Sequence, residues 1–194
     1  MTGDGDSRDD GSDDSDGSGA GFDVPSVLAQ LDAGDDSTRL EGARAVSRMI
    51  DDDPARAVPT VPKLRSLLED GSPEHRALAA DSLAELAVES VDDVAPSADA
   101  IAAFVCTELR TDGSPRATAD ALRCLAAIAS ERPGAVADHA DDVAAALEAT
   151  EQSTEWGRET LAAVEEARAD RTEVGQDREQ STWRETSPGL EVDR

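Results

Sequence analysis

The sequence is poor in several residue types, and each scarcity excludes a class of protein. Two cysteines in 194 residues cannot hold a fold together through disulfides, and a reduced compartment is expected. Tyrosine and asparagine are absent, and one lysine stands against 17 arginines. A net charge of −26 argues against broad nucleic-acid binding, which relies on basic side chains at phosphates. No apolar run approaches the roughly 18 residues of a membrane span, and the acidic start lacks the apolar core of a secretory signal.

The acidic residues are spread along the whole chain. The net charge is −6 over residues 1–20, −17 over 21–169 and −3 over 170–194. A single acidic interaction tail would not make the rest of the chain acidic. Uniform acidity with almost no lysine resembles the cytoplasmic proteins of halophilic archaea, where molar salt shortens the Debye length to about 3 Å and screens self-repulsion. The resemblance implies a halophilic, cytoplasmic protein.

Both ends of the chain have compositions typical of disorder. Residues 1–20 are mostly glycine, serine and aspartate, and residues 170–194 are polar and interrupted by glycine and proline. Such segments cannot bury enough apolar surface to offset the entropy of ordering. The sequence therefore predicts a disordered acidic tail over 1–20, a folded domain over 21–169 and a disordered polar tail over 170–194. Removal of residues 1–20 should leave stability nearly unchanged.

Between the tails, helical segments alternate with short breaks. The clearest breaks are Asp70-Gly71-Ser72-Pro73 and Asp112-Gly113-Ser114-Pro115. Glycine ends a helix, serine caps the next one, and proline fits its first turn. The pattern predicts helices over 38–50, 57–69, 74–89, 98–110, 115–131, 135–149 and 155–169, with a weaker one near 24–32.

Apolar residues recur at equivalent positions of these helices. Val46, Leu83, Leu125 and Val164 are separated by 37, 42 and 39 residues, and each is preceded by another helix. The repeating unit is therefore a helix–turn–helix of about 40 residues. One such pair has an apolar stripe too narrow to close a core, whereas stacked neighbours bury a continuous one. We expect Leu83 and Leu125 to be buried where units meet.

The period and the pattern resemble HEAT repeats. The best match is the stretch 58–87, which has a proline in its first helix, Leu-Leu-x-Asp before the turn, and an arginine followed by alternating alanine and leucine in its second helix. The resemblance implies an all-α fold, an α-solenoid (superhelix) of about four HEAT-like repeats. It also implies that Asp70 and Arg76 tie neighbouring repeats together. An alanine-rich bundle of eight helices without repeats is the structural alternative.

No catalytic, cofactor-binding or metal-binding constellation is evident. His75 and His139 have no second histidine or cysteine at metal-ligand spacing, and we expect both to be solvated helix residues. Cys106 and Cys124 fall on the two helices of one unit. A disulfide between them is possible, but free thiols, as small core residues or half exposed, are the default. The HEAT-like deoxyhypusine hydroxylases hold iron with His-Glu pairs, and no His-Glu dipeptide occurs here.

What remains is a surface. In HEAT arrays the second helices usually line the concave side, and here they carry charged residues opposite the apolar stripe. These predicted face residues are Glu41, Arg44, Arg48, Leu78, Asp81, Glu85, Asp120, Arg123, Glu159 and Glu166. A solvated face without function is one interpretation. The other is a groove for a protein partner, with arginines at its N-terminal end and acids at its C-terminal end.

The sequence therefore favours a non-catalytic scaffold or adaptor that binds an unidentified protein, with no cofactor, small-molecule substrate, nucleic acid or membrane. The alternative follows from HEAT-like subunits of phycobilin lyases, which this chain also resembles. That resemblance implies an accessory subunit or maturation factor of an enzyme.

Overall fold

A computed structural model describes residues 23–111, 113–149, 155–166 and 169, and within them the chain is helical and contains no β-strand. The predicted tails, 1–20 and 170–194, lie outside the described residues. The helices are α1 (Val24–Leu31), α2 (Asp36–Asp52), α3 (Pro54–Ala57), α4 (Val61–Asp70), α5 (Pro73–Glu89), α6 (Val91–Val94), α7 (Ala98–Thr111), α8 (Pro115–Glu131), α9 (Pro133–Val136), α10 (Ala140–Ala149) and α11 (155–166). Short 3₁₀ segments, Val58–Thr60 and Ala95–Ser97, precede α4 and α7.

The helix boundaries follow from capping residues and prolines. Asp35 accepts a hydrogen bond from the Thr38 backbone N–H at the start of α2, and Ser114 accepts one from the Ala117 N–H at the start of α8. Each bond satisfies one of the amide groups that a helix leaves unpaired at its N-terminus. Pro73 and Pro115 occupy the first turns of α5 and α8, where the missing N–H costs nothing.

The long helices form two layers of consecutive neighbours. In one layer α2 packs against α5 and α5 against α8, while in the other α4 packs against α7 and α7 against α10. The layers are joined by the helix pairs α1–α2, α4–α5 and α7–α8, which are here called the first, second and third units. The Thr160 hydroxyl contacts the carbonyl oxygen of Leu122 at 3.5 Å, which brings α11 beside α8 as the next helix of the first layer.

The core runs along the interface between the layers. Leu83 and Leu125 are both fully buried, on α5 and α8. The predicted burial of both residues is confirmed. Many of the remaining core positions are alanines, among them Ala43, Ala79 and Ala121, which let neighbouring helices approach closely.

Ion pairs connect successive units, and most of the described basic residues take part in one. The pairs that join different long helices or their flanking segments are Asp32–Lys63, Arg44–Glu74, Arg65–Asp99, Arg76–Glu108, Asp81–Arg123 and Asp92–Arg132. Most of them are half exposed, so each contributes modestly to stability. Together they place the scarce cations of an acidic chain at the junctions between units.

The predicted helix over 135–149 is wrong, because the structure divides it into α9 and α10. His139 N–H donates to the Val136 carbonyl at 3.0 Å, a three-residue closure that tightens the chain between the two helices. The predicted helix over 57–69 also begins late, at Val61. Proline lacks an amide hydrogen, so Pro62 cannot donate to the Val58 carbonyl and the preceding residues form a 3₁₀ turn instead.

None of the helices in the described part of the chain has both the length and the hydrophobicity needed to cross a lipid bilayer.

Candidate functional site

The exposed side of α2, α5, α8 and α11 is here called the second-helix face. The predicted face residues sit on it as follows: Glu41, Arg44 and Arg48 are exposed on α2, Leu78, Asp81 and Glu85 are half-buried on α5, Asp120 and Arg123 are half-buried on α8, and Glu159 and Glu166 are exposed on α11. The successive packing of α2, α5 and α8 makes this a continuous surface across three units.

Three of the predicted residues meet at the centre of the face. Arg123 Nη2 lies 3.6 Å from Asp81 Oδ1 on α5 and 3.6 Å from Asp120 Oδ1 on its own helix. The three side chains are between 17% and 31% exposed, so water screens them only partly. One guanidinium thus bridges carboxylates of two adjacent units.

Acidic residues outnumber cations around this bridge. Burial raises the pKa of Glu85, and the negative charges of Asp81 and Asp51 raise it further. Burial also raises the pKa of Asp120, with Asp81 adding to the effect. Arg123 opposes both shifts without cancelling them. The centre of the face is therefore a place where ionised carboxylates repel one another.

The N-terminal end of the face has a different character. Arg44 Nη2 lies 2.6 Å from Oε1 of Glu74, which joins α2 to the start of α5. Arg44 also lines a cleft between α1 and α2 together with Gln30, Glu41 and Arg48. Arg44 and Arg48 thus lie at this end, while Glu159 and Glu166, the acids of the predicted C-terminal end, are exposed on α11.

Sequence reasoning missed two acidic members of the face. Glu74 pairs with Arg44, and Asp51 acts electrostatically on Glu85. Both were within reach of the helical pattern, because Glu74 lies four residues before Leu78 and Asp51 lies three residues after Arg48. The two residues extend the predicted stripes by one turn.

The predicted tie between Asp70 and Arg76 is wrong. Asp70 is exposed and forms no ion pair with any of the described residues, whereas Arg76 Nη1 lies 3.3 Å from Oε1 of Glu108 on α7. Glu108 is 5% exposed, and its other oxygen accepts a hydrogen bond of 2.8 Å from the Ser114 backbone N–H. The arginine therefore does connect two units, but it uses a buried glutamate of the next first helix rather than a turn aspartate.

His75 is also placed differently from the prediction of a solvated residue. Its ring is 1% exposed, with Nδ1 at 2.6 Å from the Ser72 hydroxyl and Nε2 at 3.1 Å from the Asp36 carbonyl oxygen. A carbonyl only accepts, so Nε2–H donates to it, while Nδ1 forms the hydrogen bond with the Ser72 hydroxyl. The histidine thus links the start of α5 to the start of α2.

The two cysteines are free thiols buried in the helix layers, as the default reading expected. Cys124 Sγ donates to the Leu83 carbonyl across the α5–α8 contact at 3.4 Å, and burial raises its pKa to about 12. Cys106 lines an alanine-walled groove of about 480 Å³ between α7 and α10, beside Arg110 and His139.

Within the described ranges, no group of three or more histidine, cysteine, aspartate or glutamate side chains is arranged to hold a metal ion. No protein-family profile, curated protein or solved structure matches this chain.

Proposed function

We propose that this chain is a short α-solenoid of about four HEAT-like repeats that serves as a non-catalytic scaffold or adaptor in a salt-rich cytoplasm, and that its second-helix face binds a protein partner. The observation that carries the proposal is the continuity of that face. Helices α2, α5 and α8 neighbour one another in order, and their outward charged side chains form one surface. Repeat arrays commonly bind extended partners along such a surface.

The electrical character of the face supports a role in recognition. Its central carboxylates are half-buried beside a single bridging guanidinium, and its N-terminal end presents Arg44 and Arg48 in a cleft. Complementary charges across an interface raise association rates and reject wrong partners more than they raise affinity. A face whose arginine-bearing end differs from its carboxylate-rich centre also gives a bound partner a direction.

A capture experiment in molar KCl tests the proposal. The chain, immobilised, is exposed to an extract prepared at the same salt concentration, and retained proteins are identified. The test variant Glu41→Lys/Glu159→Lys reverses two exposed charges of the second-helix face, and the control Asp142→Lys/Glu148→Lys reverses two exposed charges on α10 in the other layer. Both variants change the net charge equally.

We expect a partner that the unmodified chain and the α10 control retain and that the second-helix variant loses. Retention by all three, or loss from both variants alike, would contradict recognition through this face. A partner that is itself an enzyme, with activity that depends on the complex, would instead identify the chain as an accessory subunit or maturation factor.

A further inference from the structure

The contact between α5 and α8 combines a tightly packed interior with a repulsive rim. Leu83 and Leu125 lie fully buried on the two helices, and the Cys124 thiol reaches the Leu83 carbonyl across the contact. On the second-helix face, directly above this interior, Asp81 on α5 and Asp120 on α8 approach the same Arg123 guanidinium. The packing favours closure, while the like charges at the rim oppose it.

The charges that act on this rim come from three helices. On α5 they are Asp81 and Glu85, on α2 the Asp51 carboxylate, and on α8 Asp120 with Arg123. A second cation of α8, Arg116, lies 3.9 Å from Asp120 on the outer side, and its side chain is 85% exposed. Arg123 is therefore the half-buried cation that Asp81 and Asp120 both contact, and water strongly screens the second cation, Arg116.

The sign of the resulting pH dependence follows from the direction of the shifts. Glu85 and Asp120 have raised pKa values in the folded chain, chiefly through burial, so the folded chain binds these protons more tightly than the unfolded chain does. The cost of ionising them, which is mainly the desolvation of the carboxylates with repulsion added, is fully present above the raised pKa and disappears as the pH falls below it. Ionisation of these two groups thus works against the contact.

We propose that the α5–α8 contact is an acid-responsive joint, which opens locally more often when Glu85 and Asp120 are ionised beside the Asp81 carboxylate and less often when either of the two is neutralised, with Arg123 as the cation that holds it closed at neutral pH. The joint lies between the second and third units and concerns their mutual packing. It stands independently of whether the face binds a partner.

The chain carries its own reporter of this joint. Cys124 is fully buried in the α5–α8 contact, so a thiol reagent modifies it only when the contact opens. In a Cys106→Ala background it is the single thiol of the chain. The modification rate is measured at neutral pH, at the lowest KCl concentration that keeps every variant fully helical by circular dichroism.

Glu85→Gln imitates protonation of the rim, and Glu89→Gln is its matched control, because Glu89 lies exposed one turn further along the same helix. We expect Glu85→Gln to slow modification of Cys124 about threefold, as one removed repulsion of roughly a salt-bridge magnitude would do. Glu89→Gln should leave the rate within about 1.5-fold of the parent, since surface charges away from such contacts have small effects. Equal rates for the two variants would overturn the proposal.

Arg123→Gln tests the opposite direction, with an expected acceleration of about threefold or more, because the carboxylates lose their shared cation. Urea titration of the same variant at the same KCl concentration reports global unfolding. Faster modification of Cys124 with an unchanged urea midpoint supports a local joint. Acceleration that matches the fall in the free energy of unfolding shows general destabilisation and contradicts it.

Discussion

The two Gly-Ser-Pro turns of the molecule share their sequence but differ in how they are fastened to the rest of the fold. In the turn before α5, the Ser72 hydroxyl forms a hydrogen bond with His75 Nδ1, and His75 Nε2–H donates to the Asp36 carbonyl of α2. In the turn before α8, Glu108 accepts from the Ser114 backbone and pairs with an arginine of α5. Both turns are tied to the preceding unit through one buried polar side chain.

The difference shows that the shared turn sequence sets the helix boundaries at both turns but does not set the contacts that each turn makes with the preceding unit. Ala117 occupies the position that His75 has in the earlier turn, and it has no polar side chain to offer. Glu108 supplies the polar group instead: it lies on α7, the helix before the turn, and its carboxylate accepts from the Ser114 N–H. The two turns thus keep the same Gly-Ser-Pro sequence, while a different side chain satisfies the buried polar groups at each junction.

The largest expected effect is the unfolding of the whole helical domain, including both turns, when the salt concentration is lowered. Residues 21–169 carry −17 over an alanine-rich core, so like-charge repulsion acts against compaction. At about 0.1 M salt the Debye length is about 10 Å and neighbouring acids still repel, whereas molar salt screens them. We expect a cooperative helical state in 3 M KCl and partial or complete unfolding after dialysis to 0.1 M, followed by circular dichroism.

Acidification provides the control for this experiment. Lowering the pH toward 4 at low salt removes the same charge by protonation, and the raised pKa values of Glu85 and Asp120 in the folded chain favour refolding as these groups bind protons. Part of the helical signal should return. Equal thermal midpoints at 0.1 M and 3 M KCl would mean that the acidity has another cause, such as selection for a basic partner.

A smaller effect comes from the core residues that the two units place at equivalent positions. Leu83→Ala and Leu125→Ala should each lower the free energy of unfolding by about 2–5 kcal/mol through lost burial and the remaining cavity. Urea titration in 3 M KCl measures the change, because guanidinium chloride would itself alter the ionic strength. Val88→Ala is the control, because Val88 on α5 is 65% exposed. It should change the free energy of unfolding by no more than about 0.5 kcal/mol.

The buried leucines could be predicted from the sequence, whereas the polar contacts between units could not. The apolar period places Leu83 and Leu125 correctly, and proline and serine fix the starts of α5 and α8, since these signals are local. The partners of Arg76 and His75 were not predictable, because they depend on which side chains of a neighbouring unit come within reach. On the second-helix face, helical spacing identified Asp81, Asp120 and Arg123 as members, but their meeting at one point required the packing of α5 on α8.

A smaller effect is expected from the ion pairs between units, and here the buried pair Arg76–Glu108 is compared with the half-exposed pair Arg65–Asp99. A double-mutant cycle of Arg76→Ala and Glu108→Ala should give a coupling of about 0.5–3 kcal/mol, because Glu108 is buried and the pair excludes water on one side. The cycle of Arg65→Ala and Asp99→Ala, a half-exposed pair, should give less than about 1 kcal/mol. A larger coupling for the exposed pair would show that burial of Glu108 adds nothing to the junction.

The last comparison concerns the glycines of the two turns, Gly71 and Gly113, where an added side chain would meet different neighbours. A Cβ at Gly71 would lie 2.3 Å from the Leu67 carbonyl oxygen, a backbone atom that cannot move without disturbing α4. A Cβ at Gly113 would instead lie 2.1 Å from Oε2 of Glu108, the end of a side chain. Gly71→Ala should therefore destabilise in every background, by about 1–3 kcal/mol.

Gly113→Ala should act by displacing the Glu108 carboxylate from Ser114 and Arg76. Its effect on the free energy of unfolding, measured by urea titration, should then shrink to within about 0.5 kcal/mol when Glu108 is already alanine, because the two changes remove the same interaction. Gly71→Ala in the Glu108→Ala chain is the control and should keep its full effect. If Gly113→Ala costs as much without the carboxylate as with it, the glycine serves the turn itself, and the two turns are more alike than their contacts indicate.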